Sequence, residues 1–229
     1  MRHVCVLVAV SALSLLAGGC GSSGGGSSSS ASTPTSPTPP PGNHAPVISS
    51  ATVNPTFGIA SLTTFNFQAI ASDPDGDSVS YTWNIAGSTA NGPSTSGTIS
   101  GSGGAASASL TVSDGKGGTA SSNVTYTVGS MSGAWLVTSG LLRGSSFKLS
   151  QTSAGIVTGS FVLPGLGSGN TDPAQPGQMT ANGQLNMRVK IAPFTDFNMH
   201  GTMDTTGRVV AGSLQGSGFS GESFTMAKQ

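Results

Sequence analysis

The chain reads as all-β: an antiparallel sandwich, then a small eight-stranded up-and-down barrel, behind a secretory leader and an unstructured spacer. Three observations lead there. Apolar and polar residues alternate over short runs through residues 45–128 and again through 134–226, the period of half-buried strands. Turn-forming residues break these runs at short intervals, with 35 glycines and 13 prolines in 229 residues. Charged residues make up 7% of the chain against about a quarter of an average domain, so the Glu- and Lys-rich runs of a helical bundle are missing.

The leader comes first. Arg2 and His3 precede an apolar stretch from Val4 to Leu16, followed by Ala17-Gly18-Gly19 and Cys20. A charged start, a short apolar core and a small-residue cleavage zone define a secretory signal over residues 1–19. The apolar stretch falls short of the roughly 20 residues that span a bilayer core. Its end resembles the lipobox of bacterial lipoproteins, with Ala17 where that pattern usually has Leu. The resemblance implies that Cys20 is lipidated and anchors the mature chain in a membrane. It also implies the outer membrane of the cell envelope, because Gly21 replaces the Asp that usually signals inner-membrane retention. Ordinary cleavage after Gly19, releasing a soluble chain, is the alternative. Cys5 leaves with the leader, so Cys20 has no disulfide partner and the modules must fold by core burial.

Residues 20–43 form the spacer. GSSGGGSSSSASTPTSPTPPPGN has no apolar residue besides Ala31 to offset the entropy of ordering it. Its Gly/Ser half is a flexible coil, and its Pro-rich half stiffens toward polyproline II.

The sandwich occupies residues 44–129. Phe65, Phe67, Ala69 and Ala71 alternate with polar neighbours, as do Val79, Tyr81, Trp83 and Ile85. Leu110 and Val112, then Val124, Tyr126 and Val128, repeat the pattern. The segments FNFQAIASDPDGDSVSYTWNI and ASLTVSDGKGGTASSNVTYTV resemble the PKD and cadherin-like Ig-fold repeats of bacterial surface proteins. After Trp83 the chain reads Asn84-Ile85-Ala86-Gly87, where many PKD modules have Gly-Asp-Gly.

The barrel occupies residues 131–229, set off by Gly129-Ser130. Strands are expected at 134–137, 146–151, 156–163, 178–181, 184–191, 195–203, 208–214 and 219–226. Closure suits so many short strands because it removes exposed edges. Gly133-Ala134-Trp135 and Val157-Thr158-Gly159 resemble avidin- or lipocalin-type barrels. Avidins stack biotin between several tryptophans and only Trp135 is available here, so biotin binding is not supported. The composition of residues 164–177 reads as a long mobile loop.

The best site candidate is Asp73, Asp75 and Asp77 with Asp114. Calcium takes six to eight oxygen ligands from carboxylates and carbonyls. In an Ig-like order, Asp73–Asp77 lies in the B–C loop and Asp114 in the F–G loop, at the same end of the sandwich. The plain alternative is a polar turn built on Asp-Pro and Asp-Gly chemistry. Trp83 and Trp135 fall on apolar faces and read as core rather than as sugar-stacking platforms. His200 shares its strand parity with Asn198 and Thr202, which places it on a solvated face. No GxSxG, HExxH, paired CxxC or phosphate loop occurs, and no other cofactor is implied.

Eight Lys and Arg balance eight Asp and Glu, so nothing draws the chain to nucleic acid. The expected function is that of a non-catalytic, membrane-tethered surface lipoprotein acting as an interaction or adhesion module for a protein or polysaccharide. The alternative is a carrier holding a small apolar ligand inside the barrel. There the inward set of Met187, Met199, Met203, Met226, Phe147, Phe197 and Phe224 either leaves room or fills it.

Overall fold

The computed structural model describes residues 42–191 and 196–229, all of them strand, turn or loop. Cys20 and the leader lie outside the described residues. Among those described, no helix is long and apolar enough to cross a membrane.

The first module is a two-sheet sandwich. One sheet holds β1 (Val47–Asn54), β3 (Thr64–Ser72) and β6 (Ser94–Thr98), in the order β1-β3-β6. The other runs β2 (Phe57–Ile59), β8 (Thr119–Gly129), β7 (Gly104–Ser113), β4 (Ser80–Ile85) and β5 (Ser88–Asn91). All pairs are antiparallel except β2 with β8. Alternation drives the core: Phe65, Phe67 and Ala69 point inward from β3 toward Trp83, Leu110, Val112 and Tyr126. Phe67 lies 5.7 Å from both the Trp83 and Tyr126 rings, in the tilted and edge-on arrangements that aromatic pairs favour. Trp83 is fully buried, so it is a core residue. Tyr81 pins the two sheets together near the B–C loop: its hydroxyl accepts the Ala71 N–H at 3.1 Å and meets the Ala71 carbonyl at 3.3 Å.

The second module comprises β9 (Gly133–Ser139), β10 (Ser146–Gln151), β11 (Ile156–Leu163), β12 (Gly167–Asn170), β13 (Gly177–Met179), β14 (Gln184–Val189), β15 (Phe197–Met203), β16 (Val209–Gly216) and β17 (Phe219–Lys228). Eight of them close a ring in chain order, with β17 pairing back onto β9. The ninth, β12, sits inside the segment expected to be a loop. It pairs with Ser160–Leu163 of β11, while β13 pairs with Ile156–Val157 of the same strand. The two pieces therefore act as one strand interrupted by an excursion at 171–176. Side chains fill the barrel interior. Trp135, Phe147, Phe161, Phe197, Phe224, Met187, Met199, Met203 and Met226 are all buried there. Trp135 donates its indole N–H to the Met131 carbonyl at 2.9 Å, which makes it a structural plug.

The modules meet through β2 and the turn that follows it. Ile59 is fully buried, and its partners are the barrel's core residues; Phe57 and Leu62 pack beside it. The Thr63 hydroxyl caps this turn by accepting the Ile59 N–H at 2.8 Å, and it donates to the Ala181 carbonyl of the β13–β14 turn at 3.1 Å. Gln151 adds a second clasp, accepting the Met131 N–H and donating to the Ala60 carbonyl. Lys228 adds a third, donating to the Ser102 and Ser130 carbonyls while its ammonium lies 5.7 Å from the Trp135 ring centre. Gly129, Ser130 and Met131, the expected boundary, are buried in this junction. Gly129 permits it, since a Cβ there would run into Met203, Ile59 and Phe57.

Candidate functional site

The free end of the sandwich, opposite the barrel, gathers three segments. They are the β3–β4 loop from Asp73, the β7–β8 loop from Asp114 to Gly118, and the point of chain entry at Asn43-His44. Antiparallel order forces the convergence: β8 starts at this end and runs 11 residues to the barrel, a span of about 34 Å.

Asp73 organises the first loop. Its Oδ1 accepts the backbone N–H of Asp75 at 2.8 Å and that of Asp77 at 3.4 Å, the Asx-turn geometry that Asp-Pro-Asp-Gly-Asp favours. Curling the loop this way brings one carboxylate oxygen from each of Asp73, Asp75 and Asp77 within 4.8 Å of the others. Like charges so close need counter-charge, which Lys116 supplies and His44 supplies when protonated. Lys116 Nζ lies 2.6 Å from Asp77 Oδ1. His44 bonds Asp75 twice, through its backbone N–H at 2.6 Å and its ring Nδ1 at 2.8 Å. Asp73 Oδ2 and Asp77 Oδ2 are buried without a hydrogen-bond partner.

Asp114 lies at the same end, yet its oxygens are engaged elsewhere. Oδ1 accepts the N–H groups of Lys116 at 2.7 Å and Gly118 at 3.0 Å, and Oδ2 accepts from the Asn43 amide at 2.7 Å. It shapes the β7–β8 loop and stands outside the close trio. So the structure brings together three of the four expected carboxylates.

Titration follows these contacts. The hydrogen bond to Asp75, and then its charge, raise the His44 pKa above the ordinary 6.5. Hydrogen bonds from the His44 backbone and then its ring hold Asp75 below 3.8. Asp114 is likewise lowered, first by the Asn43 amide, and Lys116 is raised by its bond to Asp77.

Sequence reasoning did not identify Asn43, His44 or Lys116. The first two belonged to the spacer's edge and Lys116 to a turn. The available signal was topological, because the residues just before the first strand share an end with the B–C and F–G loops. His200 sits on β15 opposite Asn186 and Ser213, in an outward row of the barrel wall.

Residues 43–127 match the bacterial Ig domain family. The match covers the sandwich and stops before the barrel. Among solved structures, the PKD1 domain of Vibrio anguillarum Epp is 28% identical, aligning over 38% of this chain and 95% of its own with a TM-score of 0.31. A structure reported for the promiscuous specificity of carbohydrate-binding modules of the β-sandwich superfamily aligns over 82% of this chain and 92% of its own. Its identity is 12% and its TM-score 0.36. No curated protein matches the chain.

Proposed function

We propose that this chain is a non-catalytic surface protein of the bacterial envelope, anchored through lipid on Cys20, whose two-module body engages a protein or polysaccharide partner. The polarity of the body carries the reading. The chain enters at the acidic end of the sandwich, and the barrel's outer turns lie at the far end, where a tether of residues 20–43 would present them away from the anchor. The bacterial Ig match supports an extracellular setting. The carrier alternative has less support, because Phe147, Phe161, Met187 and their neighbours occupy the barrel interior themselves.

The test has two arms. A fatty-acid analogue supplied to expressing cells should label the wild-type chain and leave Cys20→Ser unlabelled and released from membranes. The fluorescently labelled chain from Gly21 onward should bind whole cells or purified envelope polysaccharide saturably. Absence of saturable binding would remove the interaction reading even if the anchor is confirmed.

A second reading concerns Asp73, Asp75 and Asp77, favoured by the unpartnered oxygens of Asp73 and Asp77. We propose that they hold Ca²⁺, with Asp114 shaping the adjoining loop. Calcium at millimolar concentration should raise the melting temperature of the wild-type chain and leave Asp73→Asn unmoved. An unchanged wild-type melting temperature would exclude the site.

A further inference from the structure

The end of the barrel farthest from the sandwich collects exposed apolar side chains beside unpaired cations. Leu141, in the β9–β10 turn, is 71% exposed; Val162, near the end of β11, is 52% exposed, and Leu166, in the β11–β12 turn, 43%. These turns adjoin. A Cβ on Gly144 would stand 3.8 Å from Pro164 Cγ, and one on Gly167 would stand 3.8 Å from Ile191 Cγ2, which brings Lys190 beside the second turn.

Arg143, Lys148 and Lys190 are exposed around this patch, and none is in an ion pair. That is not for want of described acids, since all eight Asp and Glu lie in described residues. Lys116 and Arg188, by contrast, are paired with Asp77 and Asp196. Two acids of the barrel wall outside any ion pair are engaged locally: Glu222 accepts from the Ser220 N–H and hydroxyl, and Asp172 accepts the Ala174 N–H. Net positive charge thus falls on the barrel, where six Lys and Arg stand against four Asp and Glu, while in the sandwich Lys116 stands against Asp73, Asp75, Asp77 and Asp114.

Single exposed leucines are ordinary, but three exposed aliphatics on adjoining strand ends with three cations outside any ion pair nearby fit one kind of partner best. A protein groove must match the shape of protruding side chains. A fluid bilayer need not, and its anionic headgroups complement the cations. We propose that this end of the barrel docks onto a bilayer surface bearing anionic headgroups. Leu141 and Leu166 enter the headgroup–acyl boundary, and Arg143, Lys148 and Lys190 face the headgroups. The proposal rests on the reading above only in taking the barrel's outer end as the interacting end.

The test uses the chain from Gly21 onward, which keeps the whole described body and lacks both leader and lipid acceptor. It is sedimented with vesicles of pure phosphatidylcholine and with vesicles containing ~30% phosphatidylglycerol. Wild type should sediment with the anionic vesicles alone and be released at about 0.5 M salt, where screening is nearly complete. Arg143→Glu with Lys190→Glu should lower partitioning at least about twenty-fold, since each cation near such a surface is worth roughly fivefold. Leu141→Ser with Leu166→Ser should lower it as well; all four side chains are exposed, so the fold stays intact.

No sedimentation with anionic vesicles, equal sedimentation with both kinds, or indifference to both variant pairs would each overturn the proposal. Polysaccharide or protein binding that the same variants abolish, without any vesicle binding, would overturn it too, while leaving the displayed-head reading standing.

Discussion

His44 fastens the point of chain entry to the loop between β3 and β4, and its titration gives that fastening a pH dependence. Its folded pKa is raised above 6.5 by Asp75, so the stabilisation is fully present below about 6.5 and fades as pH climbs through the raised value. Asp75 acts in the opposite direction: its pKa is held below 3.8, so its share persists above that value and is lost as pH falls through the depressed one. The pair is strongest between these limits. The melting temperature of the chain from Gly21 should therefore decline from pH 6 to pH 8, and His44→Gln should flatten the decline. An equal decline in the variant would place its origin elsewhere. At this scale the sequence disclosed Asp73, Asp75 and Asp77, because their alternate spacing is local and Asx chemistry is short-range. It did not disclose His44, Asn43 or Lys116, whose roles depend on which loop ends share a pole.

Strands were legible wherever a bulky apolar residue marked every second position. β3, β4, β7, β8 and β14 carry that signal in Phe67, Trp83, Leu110, Tyr126 and Met187. β5, β6 and β12 are edge or split strands of Ser, Thr, Ala, Gly and Asn, with no large side chain to reveal the period. Barrel closure was legible from strand number, but the close approaches within its wall were not. Gly201 and Gly212 face each other on β15 and β16, so near that a Cβ on Gly212 would strike the His200 carbonyl. Gly97 on β6 faces open space at an ordinary φ. Gly212→Ala should therefore cost about 1–3 kcal/mol through overpacking, and Gly97→Ala should stay within about 0.5 kcal/mol of wild type. Urea denaturation of the two variants measures both, and equal stabilities would refute the close approach.

At the scale of the whole molecule, the glycine–serine pair at 129–130 looked like a boundary because small residues usually mark linkers. In the structure it is small because the modules touch there. Gly129 must pass between Ile59 and Met203, and Ile59 has crossed from one module's sequence into the other's core. This arrangement makes the barrel dependent on its neighbour. Cut free at residue 131, it would lose Ile59, Phe57 and Leu62 from its near end and expose apolar surface there, Met203 beside Gly129 included. Residues 131–229 alone should melt below the full chain and bind a hydrophobic dye. Within the full chain, Ile59→Ala should cost about 2–5 kcal/mol, the usual loss for a large core aliphatic. More tellingly, it should lower the unfolding of the barrel as well as the sandwich, although residue 59 lies more than seventy positions before β9. Calorimetry of the wild type should then show one cooperative transition. Two transitions, with Ile59→Ala moving only the sandwich's, would mean the modules fold independently and the contact is a surface apposition.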